Sequence, residues 1–277
     1  MRFVKQFAAV AAVSFVGGQV LAAVDGRAWW TLLAGVVTAV LTLRVYAWVV
    51  RRTERREPDE VARAGALPAL GRGLLLGVGM FTAVITVIAM LGGYRVDGWG
   101  SATSLVAVLG FMTAAAVGEE VLFRGVLFRI IEERAGTWGA LVLSGLVFGL
   151  AHLFNPHADL WGALAIAVEA GGMLGAAYVA TRTLWVPIGL HFGWNVAEAG
   201  IFGTVVSGQN ESQGLLDGVM SGPALLSGGD FGPEASLASL VAGLALTAVF
   251  MRLARRRGRL VPRRPSAATG PVATITA

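Results

Sequence analysis

Apolar runs of roughly spanning length alternate along this chain with short polar stretches, and the alternation predicts helices that cross a lipid bilayer. A helix crossing the hydrocarbon layer needs about 20 mostly apolar residues, and about eight segments satisfy that template. They run from about Phe7 to Ala23, Trp29 to Val50, Leu74 to Leu91, Ser104 to Ile131, Trp138 to Phe154, Leu160 to Ala180, Trp185 to Val205 and Leu237 to Leu253. The predicted fold is all-α, a polytopic transmembrane helical bundle. The first segment, with Arg2 and Lys5 before it and Leu21-Ala22-Ala23 at its end, also has the layout of a cleavable signal peptide. A retained span is favoured over it, because removal would leave an odd helix count with the N-terminus outside. From Ser207 to Ser236, Gly, Ser and Pro break the helical period, which predicts an outside loop along the membrane surface. The division expected is an N-terminal hairpin with a basic loop (1–68), a core (69–254) and a basic, disordered tail (255–277).

Composition agrees with lipid as the main solvent. The chain is 56% hydrophobic and 14% charged, with a mean hydropathy of +0.70, whereas a soluble domain carries about 25% charged residues. The net charge of +5 collects beside span ends, at Arg51, Arg52, Arg55 and Arg56 and from Arg252 to Arg264. That bias predicts both termini on the cytoplasmic side of a cell membrane. It also removes nucleic acid as a partner, since no basic groove is interleaved with aromatics. Tryptophans at span ends, such as Trp99, Trp138 and Trp185, are expected to anchor in the headgroup layer. The absence of cysteine excludes disulfides, a thiolate nucleophile and Cys metal ligands. Asn210-Glu211-Ser212 matches a glycosylation sequon, a pattern short enough to arise by chance.

Ionisable groups at membrane depth cost at least about 2.5 to 3.5 kcal/mol each, so each calls for a partner or a purpose. The fourth segment contains Gly118-Glu119-Glu120-Val121-Leu122-Phe123-Arg124. Glu120 and Arg124 are four apart and can pair on one helix face, while Glu119 points about 100° away and stays free. The bland alternative is that both acids form salt bridges with Arg124 and Arg129. The fifth segment carries Phe148 and His152, and the seventh carries His191 and Asn195 on one face. His157, after Asn155-Pro156, reads as a solvated turn residue. Glu198, three after Asn195, is placed to orient that amide, and Glu169 has no partner visible in sequence. By helical rise Glu119 and His152 both lie about 20 Å from the inner ends of their spans, whereas His191 falls about 10 Å too low. An extended stretch from Arg182 to Val186 before Pro187 would raise it.

A carboxylate and a histidine beside a wet pocket can deprotonate water, and a second histidine with an amide can stabilise an oxyanion. Alternatively, Glu119, His152 and His191 supply the ligand count of a His₂Glu zinc or other divalent-metal site, although no His-Glu-x-x-His motif requires one. The ordered set Glu-Glu-x-x-x-Arg (119–124), Phe-x-x-x-His (148–152) and His-x-x-x-Asn (191–195) resembles the CPBP family of intramembrane proteases, which includes CAAX prenyl endopeptidases. The resemblance covers about Ser104 to Val205. It implies Glu119 and His152 as the groups activating water, His191 and Asn195 as oxyanion donors, and Arg124 bracing the glutamate pair. It leaves open both metal dependence and whether the substrate is a CAAX-type protein, a bacteriocin-like peptide or another membrane-associated target. Two readings compete with it: a transporter relaying protons or ions through Glu119, Glu120, His152 and His191, and a non-catalytic immunity or interaction protein of the same fold.

Overall fold

The computed structural model describes residues 1–210 and 214–263. Glu211 and Ser212 of the sequon, and the tail from Pro265 to Ala277, lie outside the described residues. Among the described residues, six helices are long and apolar enough to cross a membrane, and the chain is an all-α, multi-pass membrane protein. We label Arg2–Ala23 α1, Ala28–Glu54 α2 and Ala66–Met90 α3. The next apolar helix, Ala102–Phe154, is 53 residues long and doubles back at Gly136, giving α4 (102–135) and α5 (137–154). Gly136 has φ 70° and ψ 174°, and a Cβ there would stand 2.7 Å from the Arg263 backbone nitrogen, so both conformation and space require glycine. Leu160–Thr181 is α6, 185–201 is α7, and Leu237–Arg256 is α8.

The inter-helix turns fall at two ends. A basic end gathers the start of α1, the 55–65 loop, the α4–α5 and α6–α7 turns and the end of α8. It is tied by Arg129 to Glu54 at 2.8 Å, by Gln6 to Glu54 at 2.8 Å and by Arg182 to Glu132 at 2.5 Å. The opposite, loop end carries a two-stranded antiparallel ribbon, β1 (Tyr94–Trp99) with β2 (Leu216–Met220). The predicted surface loop after α7 instead folds onto the bundle. Phe231, Glu234 and Ala235 are buried, Trp161 Nε1 donates to Ala235 O at 2.9 Å, and Asn155 Nδ2 donates to Ser207 O at 2.7 Å. The Phe231 ring packs directly against Gly162, where a Cβ would have no room.

Small residues set the helix register. On α3 and α7, Gly73, Gly77, Gly189 and Gly193 face one another so closely that a Cβ on any of them would lie 2.2–2.4 Å from a backbone oxygen of the facing helix. This is the small-xxx-small contact by which membrane helices gain packing where lipid removes the hydrophobic drive. It holds His191, midway between Gly189 and Gly193, at one fixed height.

The α6–α7 turn differs from expectation. Residues 185 and 186 are already helical, Pro187 lies inside the first turn, and Leu184 is the cap, so the extended lift between Arg182 and Val186 does not occur. Instead the whole turn is raised. Leu184 N donates to Glu60 O at 2.8 Å. The Glu60 carboxylate in turn accepts from the Tyr46 hydroxyl, which lies about 12 Å in from the end of α2. Tyr46 also reaches Gly125 O at 3.0 Å, about 9 Å below Glu119 along α4. The 55–65 loop thus enters the bundle and carries the start of α7 upward with it, and six further residues of helix bring His191 level with Glu119.

Candidate active site

Three helices, α4, α5 and α7, carry the predicted site residues. The π-helical turn Val121–Phe128 follows Glu119 and Glu120 directly, widening α4 where both acids leave it, a local device common at functional sites. Glu120 is fully buried and Arg124 1% exposed. Glu120 Oε1 accepts from Arg124 Nη1 at 2.8 Å and from His191 Nδ1 at 2.9 Å. Arg124 Nη2 donates to Ala170 O at 3.1 Å, a carbonyl of the second π turn, Ala167–Gly171. One guanidinium therefore holds Glu120 and joins α4 to α6. Arg129, the other expected partner of the acids, turns to Glu54 at the basic end.

Glu119 takes a different course. Its Oε2 is buried without a hydrogen-bond partner and lies 4.0 Å from His152 Nε2 and 3.9 Å from His191 Nε2. Both rings are oriented from behind. His152 Nδ1 is 2.7 Å from Phe148 O, and a carbonyl can only accept, so Nδ1 carries hydrogen and Nε2 faces Glu119. The Phe148 ring lies 4.7 Å from the His152 ring, with the Arg124 guanidinium 4.6 Å from its centroid on the α4 side. This explains the Phe-x-x-x-His spacing: one helical turn supplies His152 with both an acceptor and a packing surface. His191 is oriented likewise by the Glu120 carboxylate.

The structure thus brings Glu119, His152 and His191 together and sets Glu120 and Arg124 behind them. Asn195 stands one turn beyond His191, 5% exposed, and its Nδ2 makes a weak contact with Met112 Sδ at 3.6 Å. Glu198 does not orient it; Glu198 Oε2 accepts from Trp194 Nε1 at 3.0 Å, because a π turn over Val196–Ile201 swings residue 198 away from the Asn195 face. Glu169 is 1% exposed, and neither carboxylate oxygen has a partner among the described residues. Glu234, in the loop after α7, is 3% exposed and accepts from Ser207 Oγ at 2.5 Å. Its burial was hidden by a Gly- and Pro-rich context without period, although an acid beside Pro233 and Ala235 was a signal available in the sequence. His157 is exposed and lines a cavity of about 860 Å³ at the loop end.

The donor types of Glu119, His152 and His191 suit zinc, but the spacing is wide. Ligands at ordinary zinc bond lengths in a tetrahedron stand about 3.4 Å apart, against the 4.0 and 3.9 Å found. Among the described residues no three His, Asp or Glu groups converge closely enough to hold a metal ion. In this arrangement the residues do not fit a metal.

Comparison with known proteins gives this arrangement its context. Residues 101–197 match the family described as type II CAAX prenyl endopeptidase Rce1-like, a stretch that contains all three motifs. The chain is 24% identical over 180 residues to the Bacillus subtilis (strain 168) protein named "Putative membrane peptidase YdiL", covering 60% of this chain and 68% of that one. No solved structure matches it at a significant level. The family match, the ordered motifs and the multi-pass helical architecture agree, and over residues 101–197 the chain is similar to the Rce1-like, type II CAAX prenyl endopeptidase family.

Proposed function

We propose that the chain is an intramembrane endopeptidase that hydrolyses a peptide bond with water activated by Glu119 and His152. The observation that carries the reading is the orphaned, buried Oε2 of Glu119, held between two imidazole Nε2 atoms at distances too long for direct hydrogen bonds but short enough for a water to touch both partners. A water there loses a proton to the Glu119 carboxylate as its oxygen attacks the scissile carbonyl. His191, as the imidazolium with Nδ1–H on Glu120 and Nε2–H toward the substrate, and the Asn195 amide receive the charge that develops on the carbonyl oxygen. Glu119 then returns the proton to the departing amine, the C–N bond breaks, and a carboxylic acid and an amine remain. Arg124 and Glu120 keep His191 in the orientation this requires.

The basic end faces the cytoplasm in this reading, following the charge bias, and the substrate is a membrane-associated protein or peptide, CAAX-type or bacteriocin-like. Cleavage of a reporter peptide by the purified full chain tests it. Glu119→Gln and His152→Ala should abolish cleavage, and Asn195→Ala should lower kcat by about 10²-fold, all with unchanged helical content and thermal midpoint. A Glu119→Gln protein as active as wild type refutes the mechanism. Activity lost on chelation and restored by a divalent ion refutes its metal-free form.

A further inference from the structure

Arg44 stands seven residues before Arg51 on α2, about 10 Å further into the apolar stretch, and it is exposed on the outer surface of that helix. An unmatched cation at this depth is costly unless it reaches an anion. Arg51 has one, Glu57 at 2.9 Å; among the described residues no carboxylate lies within ion-pair distance of Arg44 or Arg63. Both line a single groove of about 720 Å³, between α2, the 57–63 loop and Trp185. Its floor is apolar, with Val40, Leu43 and Val61. Asp59 is the one acid on its rim not engaged by Arg51.

We propose that this groove binds an anionic phospholipid, its phosphodiester between Arg44 and Arg63 and the first methylenes of an acyl chain over Val40 and Leu43. Arg44, from within the apolar stretch of α2, and Arg63, from the basic loop, line the same groove, and each offers the fork of donors that suits phosphate oxygens. Trp185 closes the groove with its apolar ring, its Nε1 already committed to Ala62 O at 2.8 Å, as an indole at headgroup level does. Two unmatched arginines against one carboxylate favour a headgroup without its own cation, and basic pockets at such a membrane face take anionic lipids. The bound lipid would brace the 55–65 loop, whose Glu60 supports the start of α7.

The test uses the full chain in detergent, titrated with phosphatidylglycerol, phosphatidylcholine or inorganic phosphate, reading bound lipid by native mass spectrometry and the thermal midpoint. Phosphatidylglycerol should bind more tightly than phosphatidylcholine and raise the midpoint, while inorganic phosphate leaves it unchanged. Arg44→Gln should weaken phosphatidylglycerol about fivefold and Arg44→Gln/Arg63→Gln about 25-fold; Asp59→Asn should tighten it. Equal retention by the double variant overturns the proposal, and so does inorganic phosphate protecting as well as lipid, which would mark a small-anion site. Should the arginine variants fold poorly, an unchanged affinity in Asp59→Asn overturns it alone. Neither arginine belongs to the Glu119 site, so a failure of the peptidase reading leaves this binding intact.

Discussion

Adding a single methyl group to the α3–α7 seam should silence the site without touching any of its polar residues. In Gly193→Ala the new Cβ would lie 2.4 Å from Leu74 O, and in Gly189→Ala 2.2 Å from Leu70 O. Ordinary contact begins near 3.4 Å, and both clashes are with backbone, which cannot rotate away. The helices must therefore part by about 1 Å, the scale at which misplaced catalytic groups lose about 10²-fold in rate. His191 rides on α7 between the two glycines, 3.9 Å from Glu119, so a shift of that size changes the gap between them by a quarter. Overpacking of this kind also costs about 1–3 kcal/mol of stability. Gly79 on α3 has nothing within 4 Å of its Cβ position, so Gly79→Ala is the control and should gain up to about 1 kcal/mol from helix propensity. The assay is kcat/KM on a reporter peptide beside the thermal midpoint in detergent. Full activity in Gly189→Ala/Gly193→Ala, or equal damage from Gly79→Ala, would refute the claim that this seam sets the height of His191.

Other outcomes follow from single contacts. Glu120→Gln leaves Arg124 buried with its principal anion gone and should lower stability by about 3–5 kcal/mol; Glu120→Gln/Arg124→Met should lose less, and equal losses would show that the pair is not what matters. Glu60 offers a pH test outside the spans. Burial alone would push its carboxyl up, but hydrogen bonds from Arg56 and Tyr46 outweigh burial and hold it below the usual range. A depressed folded value means that its stabilisation is complete above the unfolded pKa of about 4.3 and disappears as pH falls through the folded value. Glu60→Gln should therefore be less stable than wild type at pH 7, by about 2 kcal/mol, with the gap narrowing in acid below pH 4; a gap independent of pH would contradict this account.

The spans and the polar residues within them were legible because lipid imposes a strong one-dimensional signal: length of apolar run, and the cost of each buried charge. The division of labour between the adjacent acids was legible too, since one helical residue turns about 100°, leaving Glu120 on the face of Arg124 and Glu119 off it. The height inference across the α4–α5 turn agrees with the structure, where Glu119 and His152 stand 4.0 Å apart; the one that fails is the local route by which His191 reaches their level. His191 was given a local remedy, an extended stretch before Pro187, because sequence offers only local means of lengthening a path. The actual remedy is tertiary: Tyr46, buried in α2, draws Glu60 into the bundle, and Glu60 holds the start of α7. Glu198 failed for a related reason. An offset of three residues implies a shared face only in a regular α-helix, and the π turn over Val196–Ile201 removes that premise. Among the described residues, each of the three π turns adjoins or contains a buried acid, Glu120, Glu169 or Glu198. The rule that reads a face from spacing holds for Glu120 and Arg124, four apart and paired at 2.8 Å, and fails for Asn195 and Glu198, whose offset of three crosses into a widened turn.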